Sequence, residues 1–411
     1  MSKPTPFKIA VSDDLLSFIQ QRVATARIPP GLEFPPSEAW SDGIPPTTVN
    51  QIREYWEKKY DWRTVEARIN NHLKMFTIPI SEAGEDLTIH FVHHRSDREG
   101  AIPLLFQHGW PGSFLEVEKI IDSLTSPPDP SQQAYHVVAP SLPGFAFSSC
   151  PKKDDFMVKN MAAVDNKLMH ALGYSKYMAQ GGDWGSIVIR HIGLMYPDSC
   201  FAIHVNMLFS GPPSIWRNPL TLAYFMFWAM WQDKSKDGSL LGRIMWWMRE
   251  ESGYLEIQGT KPQTLSYGLV DSPIGMVAWL RDKMEPLIDT DFSWSEEQTI
   301  TWAMMYIIPG HSGHAQIYKN TKGKKMEVQK SMLSNPISAK VDFGASLFPK
   351  GKWWAACSVA LNIVYWQEHD KGGHFAATES PDMLVQDIRE FTKKIRPGHL
   401  TNLVKSGKLK V

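Results

Sequence analysis

Hydrophobic and polar positions follow a regular alternation through the middle of the chain. Short apolar or alternating runs typical of strands recur there, namely LTIHFVHH, AIPLLF, YHVVAP, YMAQ and FAIHVNML. Helical patterns lie between the later runs, over residues 160–172 and 186–196. Strands that alternate with helices predict a mostly parallel sheet with helices on both faces.

The pattern changes on either side of this region. Residues 1–85 read as helices and loops, with a first helix capped by Ser12 or Asp13 and a second helical pattern over residues 49–72. Around Gly211 the strands stop, and long helical periodicities follow. Strands resume with KVDFGASLF and LNIVYW, and an amphipathic helix over residues 381–395 ends the pattern. We therefore predict an α/β core of residues 86–210 and 336–411, a helical lid of residues 211–335 and an N-terminal extension of residues 1–85.

Composition excludes several classes of partner. Lys+Arg and Asp+Glu are equal at 43 each, so no net charge favours nucleic acid. Three cysteines give no disulfide framework, and no apolar run reaches the roughly 20 residues of a membrane span. These features predict a cytoplasmic protein without a transmembrane anchor. The 16 Trp and 19 Met indicate apolar pockets. The composition leaves the oligomeric state open, with a homodimer as one alternative.

A sharp turn between a predicted strand and a predicted helix carries the first candidate catalytic residue. Asp183 stands there in the run QGGDWGS, with Gly181 two residues before it and Gly185 two residues after it. Such a turn needs small neighbours at these positions and holds its central side chain above the sheet. The alternative is a Gly-Gly-Asp loop without catalytic meaning.

An aspartate in this place indicates a particular chemistry. A serine that attacked an sp³ carbon would leave an ether, which water does not cleave. A carboxylate leaves an ester instead, and water can attack its acyl carbon. Asp183 therefore predicts the opening of an epoxide or the displacement of a halide.

Two further segments complete a hydrolytic site. The run HGWPG follows an apolar strand, so the backbone N–H groups of Trp110 and Trp184 are the expected oxyanion-hole donors; a simple tight turn is the alternative. His374 follows the last strand and two glycines, in the chain order expected of the base. A metal site made of His369, Asp370 and His374 is a second alternative, although no ligand-rich partner segment accompanies it.

Taken together, these runs resemble the microsomal-type epoxide hydrolases in their soluble fungal form, over nearly the whole chain. The resemblance rests on YWEKKYDWRTVEARIN, HGWPGSFLEVEKII, APSLPGFAFSS, GGDWGS, YLEIQGTKPQTLSYGLVDSPIGMVAWL and EHDKGGHFAA. It implies an α/β-hydrolase fold, with a mostly parallel central sheet, an inserted helical lid and an N-terminal meander extension. It also implies that two lid tyrosines, Tyr254 and Tyr318, hydrogen-bond the oxirane oxygen. A phenol, protonated at neutral pH, can donate to a developing alkoxide.

The chain departs from the family at the acid that orients the histidine. In the family this acid directly follows Phe-Pro-Lys, and here Gly351 takes its place. At a second site that related hydrolases use, the chain offers only the amide Asn206. Glu368, Asp370 or Asp342 could stand in. Otherwise the ester would hydrolyse slowly, or epoxides would not be hydrolysed at all, because losing such an acid costs about 10⁴-fold in turnover in a serine protease.

Three functions follow from the sequence. The first is hydrolysis of a bulky, apolar epoxide to a vicinal diol through an ester on Asp183, without a cofactor or a metal. The second, favoured by Gly351, is a non-hydrolytic cyclisation or isomerisation on the same scaffold. The third is a binding protein with a decayed site, against which the intact Asp183, His374, Tyr254 and Tyr318 argue. A haloalkane dehalogenase shares the Asp-Trp turn but fits the paired tyrosines and the N-terminal region poorly.

Overall fold

One mixed sheet is the central feature of the fold. The computed structural model describes residues 3–208, 219, 223, 242, 245–323, 325, 337–350 and 363–397, and nine strands within them form this sheet in the order β1-β2-β3-β5-β4-β6-β7-β8-β9. The strands are β1 (Thr5–Phe7), β2 (Met75–Glu82), β3 (Glu85–His94), β4 (Ile102–Gln107), β5 (Tyr135–Pro140), β6 (Tyr177–Gly181), β7 (Cys200–Val205), β8 (Asp342–Leu347) and β9 (Ile363–Glu368). The six strands from β4 to β9 are parallel, and β1 to β3 join them by antiparallel pairing. The mostly parallel sheet expected from the sequence is confirmed.

Helices cover this sheet and explain why its central strands are uniformly buried. Every residue of β4 to β8 is buried, as expected when both faces of a parallel sheet are covered. The helices are α1 (Asp13–Ala24), α2 (Pro46–Lys58), α3 (Trp62–His72), α4 (Ile121–Thr125), α5 (Val158–Ala171), α6 (Asp183–Met195), α7 (Gly253–Thr260), α8 (Pro262–Asp271), α9 (Pro273–Met284), α10 (Glu296–Ile307), α11 (Gln316–Lys319), α12 (Ala376–Glu379) and α13 (Pro381–Lys394).

The N-terminal extension differs from its sequence-based expectation. Residues 1–85 were expected to hold helices and loops only, but β1 and β2 lie within them and pair at one end of the sheet. β2 is difficult to recognise in the sequence because it contains Pro79, and proline lacks the backbone N–H that a strand residue donates. It is tolerated as an exposed residue opposite Thr88. The pattern over residues 49–72 is also two helices, since Asp61 caps α3 by accepting from the N–H of Arg63 at 3.0 Å.

Between β7 and β8 the described chain is helical, as expected, and residues 245–323 are called the helical insert below. The insert contains α7 to α11. Its helix α10 packs against α2, where the hydroxyls of Tyr60 and Thr301 are 3.1 Å apart. The aromatic run FMFWAMW, residues 225–231, lies outside the described residues. No helix within the described ranges has the length and apolar character needed to cross a membrane.

Candidate active site

Asp183 lies at the turn from β6 to α6, at the carboxyl edge of the parallel strands. Its φ of 47° is unusual for a residue with a side chain. An ideal Cβ on Gly181 would lie 2.7 Å from the carbonyl carbon of Gly185, and one on Gly185 would lie 2.1 Å from the carbonyl oxygen of Gln107. Both positions therefore exclude side chains, and the turn presents the carboxylate of Asp183, whose side chain is 20% exposed.

The loop after β4 holds one oxygen of this carboxylate. The backbone N–H of Trp110 donates to Oδ1 of Asp183 at 2.7 Å. His108 supports the loop, because its ring bonds the Gly109 carbonyl oxygen through Nδ1 at 3.0 Å and accepts the Leu142 N–H through Nε2 at 3.2 Å. Burial lowers the pKa of His108 to about 4, so the ring is neutral and its two bonds require the proton on Nδ1.

His374 faces the other oxygen of the same carboxylate. Its Nε2 lies 3.4 Å from Oδ2 of Asp183, and its side chain is 6% exposed. The backbone on both sides of this ring is fixed. The N–H of His374 donates to the carbonyl oxygen of Leu287 at 2.9 Å, and Nδ2 of Asn206 donates to the carbonyl oxygen of His374 at 3.2 Å. Asn206 thus contacts the main chain of His374.

Tyr254 and Tyr318 meet above the turn. Their rings lie nearly perpendicular to each other, with centroids 5.8 Å apart. The ring of Trp110 stacks on Tyr254 at 4.8 Å, and the ring of Trp184 meets Tyr318 edge-on at 5.1 Å. Burial is the main cause that raises the pKa of each tyrosine, and the charge of Asp183 adds to it. Both phenols therefore keep their protons across the neutral range.

Glu116, which the sequence analysis did not single out, brings a second carboxyl group to this site. An ideal Cβ on Gly112 would lie 1.8 Å from its Oε1. Burial and the charge of Asp183 raise the pKa of Glu116 well above its usual range. The position of Glu116 in HGWPGSFLE does not indicate a place in the site, because the chain must fold back at Gly112 before the carboxyls of Glu116 and Asp183 come close together.

The helical insert is tied to the same loop. The indole Nε1 of Trp302 donates to the carbonyl oxygen of Pro111 at 2.6 Å. The hydroxyl of Tyr306, one helical turn further along α10, donates to the carbonyl oxygen of Gly112. Insert and loop are thus joined directly beside Asp183.

The sequence-based candidates for the histidine's acid partner lie in different places. Asp342, the first residue of β8, is fully buried at the amino end of that strand, where it accepts from the backbone N–H and the guanidinium of Arg396. Glu368 and Asp370 are exposed at the end of β9, and Glu368 accepts from the indole of Trp366 at 3.1 Å. Gly351 lies outside the described residues.

A carboxylate that the sequence analysis did not name borders the His374 loop. Glu379, at the end of α12, accepts the backbone N–H of Phe375 through Oε1 at 2.8 Å and that of Asp289 through Oε2 at 2.7 Å. The alternative metal site is not formed in the described part of the chain, where no group of three or more His, Cys, Asp or Glu side chains could hold an ion. His369 instead contacts Asp387 at 2.6 Å.

Two family models match parts of this chain. Residues 4–117 match the family model "Epoxide hydrolase N terminus", and residues 102–233 match the model "alpha/beta hydrolase fold". A candidate epoxide hydrolase of Stigmatella aurantiaca is 33% identical over 95% of this chain and 85% of its own length. Epoxide hydrolase 1 of Sus scrofa is 30% identical over 94% of this chain and 88% of its own length.

Solved structures agree with these matches. The epoxide hydrolase of Aspergillus niger superposes with a TM-score of 0.78 at 31% identity, over 96% of this chain and 97% of the other. The juvenile hormone epoxide hydrolase of Bombyx mori has a TM-score of 0.82 at 23% identity, over 96% of this chain and 95% of the other, which bears on the fold alone. The predicted α/β-hydrolase fold and the N-terminal extension are confirmed.

Proposed function

The chain belongs to the epoxide hydrolase family of the α/β-hydrolase superfamily, and from this premise we propose that it hydrolyses a bulky, apolar epoxide to a vicinal diol through an alkyl ester on Asp183. The proposal rests on one observation, which is that three kinds of group surround the carboxylate of Asp183. Oδ1 of Asp183 is held by the Trp110 N–H, Oδ2 faces His374, and Tyr254 and Tyr318 lie above them.

The first step is ring opening. Because Oδ1 already accepts a hydrogen bond, Oδ2 is the oxygen of Asp183 that attacks an oxirane carbon. The carbon–oxygen bond of the ring breaks, and the released oxygen takes a proton from the tyrosine pair. Tyr254 and Tyr318 suit this role, because both are protonated and a hydrogen bond to a developing charge contributes about 1.5–3 kcal/mol.

The second step is hydrolysis of the ester. Nε2 of His374 removes a proton from a water molecule, which attacks the acyl carbon of Asp183. The negative charge then develops on Oδ1, which the Trp110 N–H already holds. We assign the second oxyanion donor to the backbone N–H of Trp184, which follows Asp183 at the start of α6. The ester carbon–oxygen bond then breaks, and the imidazolium of His374 gives its proton to the departing oxygen. The proton of the new carboxyl returns to the tyrosine pair. The diol departs with the former Oδ2, and the carboxylate of Asp183 keeps one oxygen from water.

The side chains around the two tyrosines support a bulky, apolar substrate. The rings of Trp110, Trp184 and Trp247 all lie within 6.5 Å of a tyrosine ring. Aromatic walls of this kind offer apolar area and leave few polar groups to fix a substrate's orientation. The proposed small-molecule substrate would thus be oriented by the tyrosine hydroxyls at the epoxide and by apolar contact elsewhere.

Oxygen labelling in a single turnover tests the covalent route. With enzyme in excess over an apolar epoxide such as styrene oxide in H₂¹⁸O, one ¹⁸O should appear in the peptide that contains Asp183, and the first diol should be unlabelled. His374→Gln should accumulate the ester, seen as a mass gain equal to the substrate. If the label enters the diol directly and the Asp183 peptide stays unlabelled, the covalent route is wrong.

Phenylalanine variants test the tyrosine pair. Tyr254→Phe and Tyr318→Phe should each slow ester formation by about 10–100-fold, corresponding to one lost hydrogen bond to a charged oxygen. Tyr267→Phe is the matched control, because Tyr267 is 73% exposed on the same insert. Ester formation at the parental rate in both inner variants would remove the tyrosines from the mechanism.

A second candidate function rests on the glycine at position 351. Without an acid there, the same residues could cyclise or isomerise a substrate, with the tyrosines as proton donors and Asp183 as acceptor. Product mass separates the two functions, since a diol is heavier than its epoxide by one water and an isomer has unchanged mass. A binding protein with a decayed site would instead keep full biological activity as Asp183→Asn.

A further inference from the structure

Position 351 offers no carboxylate to His374, so the charges that do border its loop are of particular interest. Glu379 is five residues beyond His374, at the end of α12. Its two carboxylate oxygens accept the backbone N–H groups of Phe375 and Asp289, at 2.8 and 2.7 Å. One of these donors is the residue directly after His374, and the other belongs to the helical insert.

The glycine before His374 shows how closely this carboxylate is packed. An ideal Cβ on Gly373 would lie 2.4 Å from Oε2 of Glu379 and 2.7 Å from the backbone nitrogen of Asp289. Any side chain at position 373 would therefore displace either the carboxylate or the insert. Glu379 can therefore reach its two donors only because residue 373 is a glycine.

The helical insert also accepts hydrogen bonds from the loop that carries His374. The carboxylate of Asp289 accepts the backbone N–H of Gly372, and the carbonyl oxygen of Leu287 accepts that of His374 at 2.9 Å. The N–H groups of Gly372 and His374 thus donate to residues 287–289, and the Asp289 N–H donates in turn to Glu379. These bonds fix the backbone from which the ring of His374 extends, and so restrict where the ring can lie relative to Asp183.

Glu379 also affects His374 through its negative charge. Desolvation raises the pKa of Glu379 to about 6, against the opposing effects of the two backbone donors and of His374, so the group is ionised above that pH. The other charged side chains that border this region are Asp183, Asp289, Lys350 and Lys119. In the ester intermediate the charge of Asp183 is absent. Glu379 and Asp289 then remain as the anions beside the histidine.

We propose that Glu379 is a positioning residue for His374, which holds the ring through residues 372–375 and 287–289 and stabilises the imidazolium with its negative charge. This inference rests on the proposed function, because it needs His374 to take a proton from water. It assigns to Glu379 both tasks of the acid that the family places after Phe-Pro-Lys, although no bond to the ring is involved. It also explains how a chain with glycine at position 351 can still hydrolyse an ester.

Separate measurement of the two half-reactions tests this inference. Single turnovers with styrene oxide at several pH values, followed by intact-protein mass spectrometry, give the rates of ester formation and ester decay. In Glu379→Gln, ester formation should stay within about threefold of the parent, and decay should slow about tenfold or more, though less than the about 10⁴-fold loss known for a directly bonded acid. The acid limb of the decay profile should move down by about half a pH unit or more, because an imidazolium that loses a nearby anion has a lower pKa.

Two further variants separate charge from shape. Glu379→Asp keeps the charge with a shorter reach, so its decay should be slower than that of the parent while its acid limb stays near the parental pH. Glu390→Gln is the matched control, since Glu390 pairs with Lys393 on the outer part of α13 and should leave both rates unchanged. If Glu379→Gln does not fold, the acid limb of Glu379→Asp decides, and a limb displaced downward would contradict the charge effect.

The outcomes distinguish this inference from the proposed function. If the parent forms no ester, the proposed function fails. If the parent forms the ester and Glu379→Gln decays at the parental rate, only the positioning role is wrong. Slow decay without any movement of the acid limb would also overturn the inference, since loss of packing alone would produce it.

Discussion

Gly185→Ala is the most direct test of the turn that presents Asp183. The substitution adds one methyl group at a position whose backbone φ is not in the left-handed region, so only space opposes it. The added Cβ would lie 2.1 Å from the carbonyl oxygen and 2.7 Å from the carbonyl carbon of Gln107. These atoms belong to the main chain at the end of β4, which cannot rotate away as a flexible side chain could.

The size of the effect follows from these distances. Real Cβ atoms essentially never approach closer than 3.0 Å, so α6 and β4 must separate by about 0.9 Å at this point. Overpacking of this kind costs about 1–3 kcal/mol, and the rigid obstacle places Gly185→Ala at the upper end. With about 2.1 cal/mol/K of unfolding entropy per residue over 411 residues, a loss of about 3 kcal/mol lowers the Tm by about 3 °C.

The effect on chemistry should exceed the effect on stability. A displacement of about 1 Å at the proposed nucleophile can cost about 100-fold in rate, because the carboxylate no longer meets its partners in the reactive geometry. Thermal unfolding and the single-turnover rate of ester formation measure the two effects separately. Gly268→Ala is the control, since no atom lies within 4 Å of its ideal Cβ in the exposed part of α8, and it should gain about 0.5–1 kcal/mol. A Gly185→Ala protein with the parental Tm and the parental ester rate would refute the steric account of the turn.

Three further substitutions address buried carboxyls. Asp165 is fully buried with no hydrogen-bond partner for either oxygen among the described residues, and desolvation raises its pKa well above the usual range. The parent should therefore lose stability as the pH rises above about 4, where the unfolded chain ionises, and Asp165→Asn should raise the Tm at pH 8 more than at pH 4. Glu116→Gln should form the ester within about threefold of the parental rate, because burial and the charge of Asp183 raise the pKa of Glu116 and an amide has the size of an uncharged carboxyl. Asp342→Asn should lower the free energy of unfolding by about 1–3 kcal/mol, because Asp342 is buried while its partner Arg396 is partly exposed.

A specific result would contradict each of these expectations. A Tm difference for Asp165→Asn that does not change with pH would mean that this carboxyl is ionised in the folded protein. A loss of about 100-fold or more in Glu116→Gln would show that the reaction needs its ionised form. Asp198→Asn is the matched control for Asp342, because the Asp198–Lys340 pair is exposed and should contribute less than about 1 kcal/mol. Equal losses in the two variants would contradict the role given to burial.

The sequence predicted those features that depend on neighbours along the chain. The strand-to-helix turn at Asp183 could be recognised because its two glycines stand at fixed spacing, and β4 to β8 because each is a short apolar run. The capping residue Ser12 was one of two candidates for the same reason, and it accepts the Leu15 N–H at 3.3 Å.

Features that depend on contacts between distant segments escaped prediction. β2 has a proline at its centre, and its pairing with β1 and β3 makes it a strand. Glu116 and Glu379 carry no motif of their own, and their importance comes from the carboxyl and the histidine loop that folding brings beside them. The unusual pKa of a carboxyl depends on what surrounds it, which a single sequence does not specify.

The two bonds from α10 to the loop after β4 have a consequence for protein engineering. Trp302 and Tyr306 donate to the carbonyl oxygens of Pro111 and Gly112, within three residues of the N–H that holds Asp183. Grafting the insert of a relative onto this core, a common way to alter selectivity, would replace both donors and leave two carbonyl groups to find new partners. A chimaera should therefore exchange residues 108–116 together with the insert, as one transplantable unit.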